Sequence, residues 1–344
     1  RLSGLSSIGY SAKQHQRADQ ISPQISSAPT GVPVMPLLKY LCFPVLTLLL
    51  GFGHAQGETP KMQYRQVTVD GVNIAYREIG DPSAPSVLLL HGVPSSSRMY
   101  DDLMKQLGNR FHLIAPDYPG FGNSDAPPPD KFVYTFDHLA KVMEHFTDAV
   151  GLKRYSLFMQ DYGAPVGMRL AMARPEAVTS MVFQNGNVYA EGLGKLWDSR
   201  KAYWADRNAY EAKFQAAHLV LDVTRQRHVG SDPDVTAYNP DLWQDEVAFL
   251  NRPGEGAIQM ELIYDYRTNL DAYPAWQKWL REHQLPTLVV WGKHDLAFTV
   301  AGAEAFHRDL PNAEIAILDG GHFVMDTRLE DVANLTRKFL IKQK

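Results

Sequence analysis

Residues 154–173 read RYSLFMQDYGAPVGMRLAMA and hold the strongest fold signal in the chain. The first five residues form a short run typical of a buried strand, and residues 163–173 have the pattern of a helix. Asp161 stands between them, where the chain has to turn sharply. The stretch therefore predicts a strand, a tight turn that carries a carboxylate, and a helix whose positive N-terminal end lies beside that carboxylate.

A similar alternation of short β-rich runs and longer amphipathic stretches extends from residue 64 onward, with one interruption. It is typical of a largely parallel sheet with helices on both faces. Asp70-Gly71 is a strong hairpin turn, so we expect the sheet to begin with an antiparallel edge. We predict eight strands, at residues 65–69, 73–77, 86–90, 112–115, 154–158, 180–184, 287–291 and 313–318. We predict helices near residues 136–149, 163–173, 301–309 and 328–342.

The interruption lies between residues 187 and 272. This segment reads as several helices rich in Trp and Tyr, without a clear buried strand. We interpret it as a helical cap inserted after the sixth strand. The α/β core then comprises residues 60–186 and 273–344.

Three polar residues follow predicted strands: Asp161, Asp295 and His322. In open α/β sheets, catalytic groups gather beyond the carboxyl ends of the strands. Each residue also has a structural interpretation. Asp161 could cap the following helix, Asp295 could close a turn, and His322 could be a satisfied loop residue. Their occurrence together favours a single site over three separate structural roles.

The chain order carboxylate, acid, histidine resembles the α/β-hydrolase superfamily, and three further motifs of that superfamily are present. They are His91-Gly92-Val93-Pro94, Asp117-Tyr118-Pro119-Gly120-Phe121-Gly122-Asn123-Ser124-Asp125 and Trp291-Gly292-Lys293-His294-Asp295. The resemblance covers residues 64–344. It implies an α/β-hydrolase fold, with a mostly parallel eight-stranded sheet flanked by helices. We expect His91 and His294 to be structural.

The nucleophile turn of this superfamily usually reads Gly-x-Ser-x-Gly, but here it reads Met159-Gln160-Asp161-Tyr162-Gly163. A serine forms an acyl-enzyme with esters. A carboxylate instead attacks saturated carbon, displaces a halide or opens an epoxide, and is left as an alkyl ester. The sequence therefore predicts a hydrolase with a covalent alkyl-enzyme ester on Asp161.

The resemblance also implies how this ester is cleaved. His322 would deprotonate a water molecule, and Asp295 would accept the other N–H of the imidazole. The backbone N–H groups of Val93 and Tyr162 would form the oxyanion hole. We expect no cofactor and no metal.

The sequence resembles, in part, each of two branches of this superfamily that use an aspartate nucleophile. Gln160 before Asp161 resembles the haloalkane dehalogenases. That branch generally holds the halide with a Trp directly after the nucleophile and often with an Asn in the loop after the third strand. Tyr162 and Val93 occupy those positions here. The motif at residues 91–94 instead resembles the epoxide hydrolases.

In the epoxide hydrolases, two cap tyrosines donate hydrogen bonds to the epoxide oxygen. Tyr266 resembles the second of them. Tyr203 is our candidate for the first, with Tyr210 or Tyr189 as alternatives. Each of these tyrosines could instead be a packing residue with a locally satisfied hydroxyl; we favour the functional role for Tyr266, whereas for Tyr203 the two roles are about equal.

We expect an epoxide hydrolase, and two alternatives stay open. Trp197 and Trp204 could line an apolar pocket or present an indole N–H to a halide, which would suit a haloalkane dehalogenase. A catalytically silent small-molecule binder could use the same pocket.

Composition excludes several partner classes. The net charge is -4, only 21% of residues are charged, and the charges are dispersed, so no basic stripe for nucleic acid is present. We expect a small apolar or weakly polar substrate and water as partners. The sequence leaves the oligomeric state open.

The N-terminal part reads as a targeting region. Residues 1–34 are rich in Ser, Gln and Ala and are expected to be disordered. Residues 35–55 resemble a signal peptide with cleavage after Ala55, which predicts a periplasmic or secreted enzyme without stable membrane insertion after cleavage. An uncleaved anchor helix is the alternative. Cys42, the single cysteine, lies inside this apolar run.

Overall fold

The computed structural model describes residues 60–343. The predicted N-terminal extension, residues 1–34, and the predicted signal peptide, residues 35–55, lie outside the described residues. Among residues 60–343, no helix is both long and apolar enough to cross a membrane.

The described residues form eight strands that make one sheet. They are β1 (Gln63–Val69), β2 (Val72–Ile79), β3 (Ser86–Leu90), β4 (His112–Pro116), β5 (Tyr155–Gln160), β6 (Val178–Gln184), β7 (Thr287–Gly292) and β8 (Glu314–Leu318). Their order in the sheet is β1-β2-β4-β3-β5-β6-β7-β8. The pairs β1–β2 and β2–β4 are antiparallel and the others are parallel. This confirms the predicted mostly parallel sheet with an antiparallel edge. Asp70 and Gly71 both have positive φ angles, as a tight hairpin turn between β1 and β2 requires.

Eleven helices occur within the same residues. They are α1 (Asp101–Leu107), α2 (Phe136–Ala149), α3 (Gly163–Ala173), α4 (Trp197–Ala205), α5 (Arg207–His218), α6 (Leu221–Val229), α7 (Asp241–Leu250), α8 (Glu255–Asp265), α9 (Arg267–His283), α10 (Val300–Asp309) and α11 (Met325–Ile341). The last helix begins three residues before its predicted start at residue 328. Arg328 has a non-helical φ of -129° and kinks α11 at that point.

Helices α4 to α9 fill the chain between β6 and β7, as the predicted insertion after the sixth strand requires. The predicted return to the core at residue 273 lies inside α9, which continues through Pro274. The division of the residues into core and cap stays a prediction.

The sheet has an apolar core on each face. Neighbouring residues of a central strand enter opposite cores: Leu88 packs in the core with α2 and α3, and Leu89 in the core with α1 and α11. Successive side chains of a strand point to opposite faces, so a strand covered on both sides has to be apolar throughout. This explains the continuous apolar runs from which β3, β4 and β7 were predicted.

Candidate active site

Asp161 lies in the sharp turn between β5 and α3 and has a φ of +49°, which is unusual for a residue with a side chain. Two glycines make room for this turn. A Cβ on Gly92 would overlap the side chains of Gln160 and Asp161, and a Cβ on Gly163 would overlap the carbonyl oxygen of Leu90. The sequence can form this turn because no side chain is present at those two points.

The two oxygens of the Asp161 carboxylate have different neighbours. Oδ1 accepts a hydrogen bond of 2.8 Å from the backbone N–H of Val93. Oδ2 lies 3.5 Å from Nε2 of His322. Helix α3 has its N-cap at Tyr162 and receives no side-chain cap, so Asp161 is not the capping residue that its position also allowed. Its carboxylate is instead held between two loops that follow β3 and β8.

Asp295 fixes the imidazole of His322 from the other side. Its Oδ2 lies 2.6 Å from Nδ1 of His322, and both residues are buried. Its Oδ1 accepts hydrogen bonds from the backbone N–H groups of Ala297 and Phe298, at 2.7 and 3.0 Å. Asp295 therefore closes a turn and orients the histidine at the same time, so the structural and functional interpretations of this residue hold together.

Asn185 is a member of this network that the sequence analysis missed. It follows β6, has a φ of +44°, and donates a 2.8 Å hydrogen bond from Nδ2 to Oδ2 of Asp295. Its Oδ1 accepts a hydrogen bond from the backbone N–H of Gly292. The signal was available, because Asn185 stands at the carboxyl end of a strand just as Asp161, Asp295 and His322 do.

The charges around His322 favour its protonated form. Burial opposes the charge, but the carboxylates of Asp295 and Asp161 outweigh burial and raise the pKa of His322 to about 10. Nε2 of His322 has a neighbour suited to each protonation state of the ring. When Nε2 is protonated, it faces Oδ2 of Asp161. When Nε2 is not protonated, it can accept a hydrogen bond from the side-chain amide nitrogen of Gln160, 2.9 Å away. In both forms Nδ1–H is donated to Asp295.

A cavity opens beside Asp161 and His322. Core loops and cap helices line it together: Val93, Asp161, Tyr162, Leu196, Trp197, Arg200, Gln226, Arg227, Ile263, Tyr266, Asp295, Leu296, Ala297 and His322. The structure thus brings together all but one of the predicted site residues.

Tyr266 is buried in the wall of this cavity. Its ring centroid lies 4.5 Å from that of Trp197 and 5.8 Å from that of Tyr162. Among the described residues, the Tyr266 hydroxyl has no hydrogen-bond partner of good geometry. The Tyr273 hydroxyl is nevertheless close enough to affect the pKa of Tyr266. Burial raises the pKa of Tyr266 well above its ordinary value, so the phenol keeps its proton.

Tyr203, the candidate for the first cap acid, is not in the cavity. It is fully buried in a separate cap cluster, stacked on Phe214, and its hydroxyl lies 3.3 Å from both the Glu211 carboxylate and the Met260 carbonyl. Tyr203 follows Trp197 by six helical residues, which places it about 240° around α4 from that cavity-lining residue. The prediction for Tyr203 is corrected to a packing role.

The two alternatives to Tyr203 do not line the cavity either. Tyr189 is buried against Phe306, and Tyr210 is largely exposed.

The two tryptophans considered for halide binding already use their indole N–H groups. Nε1 of Trp197 donates to the carbonyl of Ala297 at 2.9 Å, and Nε1 of Trp204 donates to the carbonyl of Ile263 at 2.7 Å. Both rings therefore contribute apolar surface, and their N–H groups are engaged by backbone carbonyls, one in the loop after β7 and one on α8.

His91 has the predicted structural environment. It is fully buried, its Nδ1 lies 3.0 Å from the carbonyl of Gly92, and its Nε2 accepts a hydrogen bond from the backbone N–H of Tyr118. Burial lowers the pKa of His91. His294 lies near the protein surface, with Nε2 2.8 Å from the Asp319 carboxylate.

Comparison with known proteins agrees with this fold. A family model described as alpha/beta hydrolase fold matches residues 85–329. An uncharacterized hydrolase of Saccharomyces cerevisiae is 38% identical over 269 residues, which covers 77% of this chain and 92% of that protein. Haloalkane dehalogenase 2 of Mycobacterium bovis is 39% identical over 107 residues, which covers 31% of this chain and 37% of that protein. The crystal structure of an epoxide hydrolase from Vigna radiata has a TM-score of 0.64 and 22% identity, over 82% of this chain and 98% of that chain.

Proposed function

The chain is a hydrolase that belongs to the α/β-hydrolase fold family, and we propose that it hydrolyses an epoxide through a covalent ester on Asp161. One observation carries this proposal. Asp161, His322 and Tyr266 all line the same cavity, and the Tyr266 hydroxyl has no hydrogen-bond partner of good geometry in residues 60–343. A nucleophile, a base and an acid are the three groups that ring opening and ester hydrolysis require.

In the first half of the reaction, Oδ2 of Asp161 attacks an epoxide carbon and the carbon–oxygen bond of the ring breaks. Oδ2 is the better candidate because the hydrogen bond from Val93 engages Oδ1. The released alkoxide takes the proton of the Tyr266 hydroxyl. This step needs a protonated phenol, and the raised pKa of Tyr266 is consistent with that state.

In the second half, His322 takes a proton from water, and the resulting hydroxide attacks the carbonyl carbon of the ester. Ester formation has by then removed the charge of Asp161, one of the two carboxylates that raise the pKa of His322. The imidazole therefore loses its proton more readily when it is needed as a base. Oδ1 becomes the oxyanion, next to the N–H of Val93 that already contacts it, with the N–H of Tyr162 as the proposed second donor.

The protons balance over the cycle. The imidazolium of His322 gives its proton to the departing diol oxygen. The Asp161 carboxyl, which carries the second proton of the water, returns it to the Tyr266 phenolate. The imidazolium of the free enzyme releases one proton to solvent after Asp161 is esterified and takes one up again when the carboxylate re-forms. The net reaction is then epoxide plus water to diol, and all three side chains regain their starting states.

Dehalogenation is the second candidate. The identity to a haloalkane dehalogenase over about a third of the chain favours it. The engaged indole N–H groups of Trp197 and Trp204 argue against it, because no free indole donor then faces a departing halide in the described site.

The experiment compares 1,2-epoxyhexane with 1-chlorohexane on the wild type and on His322→Gln. With the epoxide, we expect diol from the wild type and, by mass spectrometry of the quenched protein, an accumulated alkyl ester on Asp161 in His322→Gln. Chloride release without diol formation would establish the dehalogenase instead. The proposal fails if neither compound gives product or adduct, which would favour a silent binder. Asp161→Asn is the control, since it should form no adduct.

A further inference from the structure

Two arginines of the cap line the cavity, Arg200 on α4 and Arg227 on α6. Neither forms an ion pair with a carboxylate anywhere in residues 60–343. Nη1 of Arg200 donates to the carbonyl of Leu196 at 2.9 Å, and its guanidinium lies over the Trp197 ring, 4.8 Å from the centroid. Nη2 of Arg227 donates to the carbonyl of His218 at 3.2 Å. Nη1 of Arg227 is buried without any hydrogen-bond partner.

This arrangement is unfavourable without an anion. Both arginines are half-buried, and Nη1 of Arg227 is a buried donor without a partner, which costs free energy. Burial and, after it, the positive charge of Arg200 lower the pKa of Arg227 to about 10. Arg200 is thus close enough for its charge to act on Arg227.

The two carboxylates in the cavity wall are already engaged. Asp295 is held by His322, Asn185 and two backbone N–H groups. Asp161 is held by Val93 and faces His322. With His322 protonated, the wall has three positive charges and two negative ones, so one further negative charge would balance it.

We propose that the substrate carries a carboxylate, which Arg200 and Arg227 bind so that the reactive carbon faces Asp161. The proposal rests on the proposed function for its reactive step. It replaces the apolar or weakly polar substrate expected from composition. The planar fork of a guanidinium matches a carboxylate with two parallel hydrogen bonds, and the unpartnered Nη1 of Arg227 offers such a donor.

The test compares glycidate with glycidamide, which share a skeleton and differ in charge. We expect the wild type to hydrolyse glycidate with a kcat/KM at least about tenfold higher than that for glycidamide, the size of a charge-assisted hydrogen bond. Arg200→Gln and Arg227→Gln should each lower kcat/KM for glycidate by about tenfold to hundredfold and change that for glycidamide by less than about threefold. Arg227→Lys, which keeps the charge and loses the fork, should recover part of the loss.

Matched controls lie on the same two helices. Lys201→Gln removes an exposed positive charge next to Arg200. Arg225→Gln removes an exposed positive charge two residues before Arg227. Both should behave as wild type with either substrate. Circular dichroism and thermal melting check that all variants fold.

Equal hydrolysis of acid and amide by the wild type would overturn the proposal. So would an equal loss with both substrates in the arginine variants, since the arginines would then serve the departing oxygen or the fold. Binding of unreactive butyrate and butyramide, measured by calorimetry, separates this proposal from the proposed function. If neither epoxide yields diol or adduct, butyrate binding that Arg227→Gln abolishes still supports the anion site, and absent butyrate binding refutes it.

Discussion

Nε2 of His322 lies 3.5 Å from Oδ2 of Asp161, which is long for a hydrogen bond and short for two opposite charges. The carboxylate is therefore free to attack carbon while it still stabilises the imidazolium. Once the carboxylate becomes an ester, that stabilisation ends. In the proposed reaction, Asp161 would thus control the protonation of His322, the group that later removes its ester.

The pH dependence of ester hydrolysis follows from this relationship. In the proposed reaction neutral His322 is the base, so the rate of ester hydrolysis should rise with pH and level off. The midpoint should lie below the pKa of about 10 of the free enzyme, because alkylated Asp161 no longer raises it. Rapid-quench measurement of the decay of the Asp161 adduct between pH 6 and 10 checks this. Asp295→Asn, which removes the remaining carboxylate, should lower both the midpoint and the plateau. A rate that falls with rising pH would contradict the assignment of His322 as base.

Asn185 should act by positioning Asp295. Asn185→Gly keeps the positive φ accessible and removes the amide that donates to Asp295, so Asp295 and His322 lose one restraint. We expect ester hydrolysis to slow by about tenfold, with ester formation little changed. Single-turnover experiments that resolve the two steps measure this difference. Equal slowing of both steps would indicate a general disturbance of the fold. Asn185→Asp, in which an acceptor replaces the donor, should show the same step selectivity.

Tyr266→Phe removes one hydroxyl and keeps the ring that packs on Trp197 and Tyr162. We expect adduct formation with an epoxide to fall by about a hundredfold, within the range of general acid catalysis, with little change in thermal stability. Tyr203→Phe is the control. Its hydroxyl contacts Glu211 and Met260 outside the cavity, so the rate should stay close to that of the wild type. If Tyr203→Phe proved the more damaging variant, the assignment of the acid would be wrong.

His228 links the cap to the core and should make stability depend on pH. Nε2 lies 2.8 Å from Glu246 on α7, and Nδ1 lies 2.7 Å from Asp326 on α11. Burial opposes the charge, but the two carboxylates raise the pKa of His228 to about 10. Because the pKa of His228 is higher in the folded protein than in the unfolded chain, its protonation stabilises the fold. This stabilisation is fully present below the pKa of the unfolded chain, about 6.5. The stabilisation is lost as the pH rises through the folded value.

The measurement is the free energy of unfolding in urea for the wild type and for His228→Gln. The difference between them should be largest below about pH 6.5 and should shrink toward pH 10. His322 titrates in the same window but is present in both proteins, so it cancels. A difference that grows with pH would show that His228 is buried as a neutral group.

The sequence predicted the core of the site well because strand ends in a parallel sheet meet at one edge. Asp161, Asp295 and His322 each follow a strand of the parallel part of the sheet, and that rule alone is enough to bring them together. Asn185 satisfies the same rule, but an amide has no acid–base or nucleophilic chemistry of its own, so its residue type gave no signal for a catalytic site.

The cap was harder to predict, for a physical reason. Which face of a cap helix meets the cavity depends on how six helices pack against one another, and the hydrophobic pattern of the cap is weak. Tyr203 and Arg200 lie three residues apart on α4, yet Arg200 lines the cavity and Tyr203 packs in a separate cluster. Arg200 and Arg227 lie on different cap helices, and only the packing of the cap brings both of them to the cavity wall.

Because Oδ1 and Oδ2 of Asp161 have different neighbours, the proposed reaction predicts where one oxygen atom of the diol comes from. The oxygen that attacks carbon leaves with the diol, and the oxygen delivered by water takes its place beside His322, while Oδ1 stays with Val93. Each diol should then contain an oxygen that the enzyme received from solvent one turnover earlier. Under the proposed reaction, isotopically labelled water would first mark the protein and would reach the product only in the following cycle.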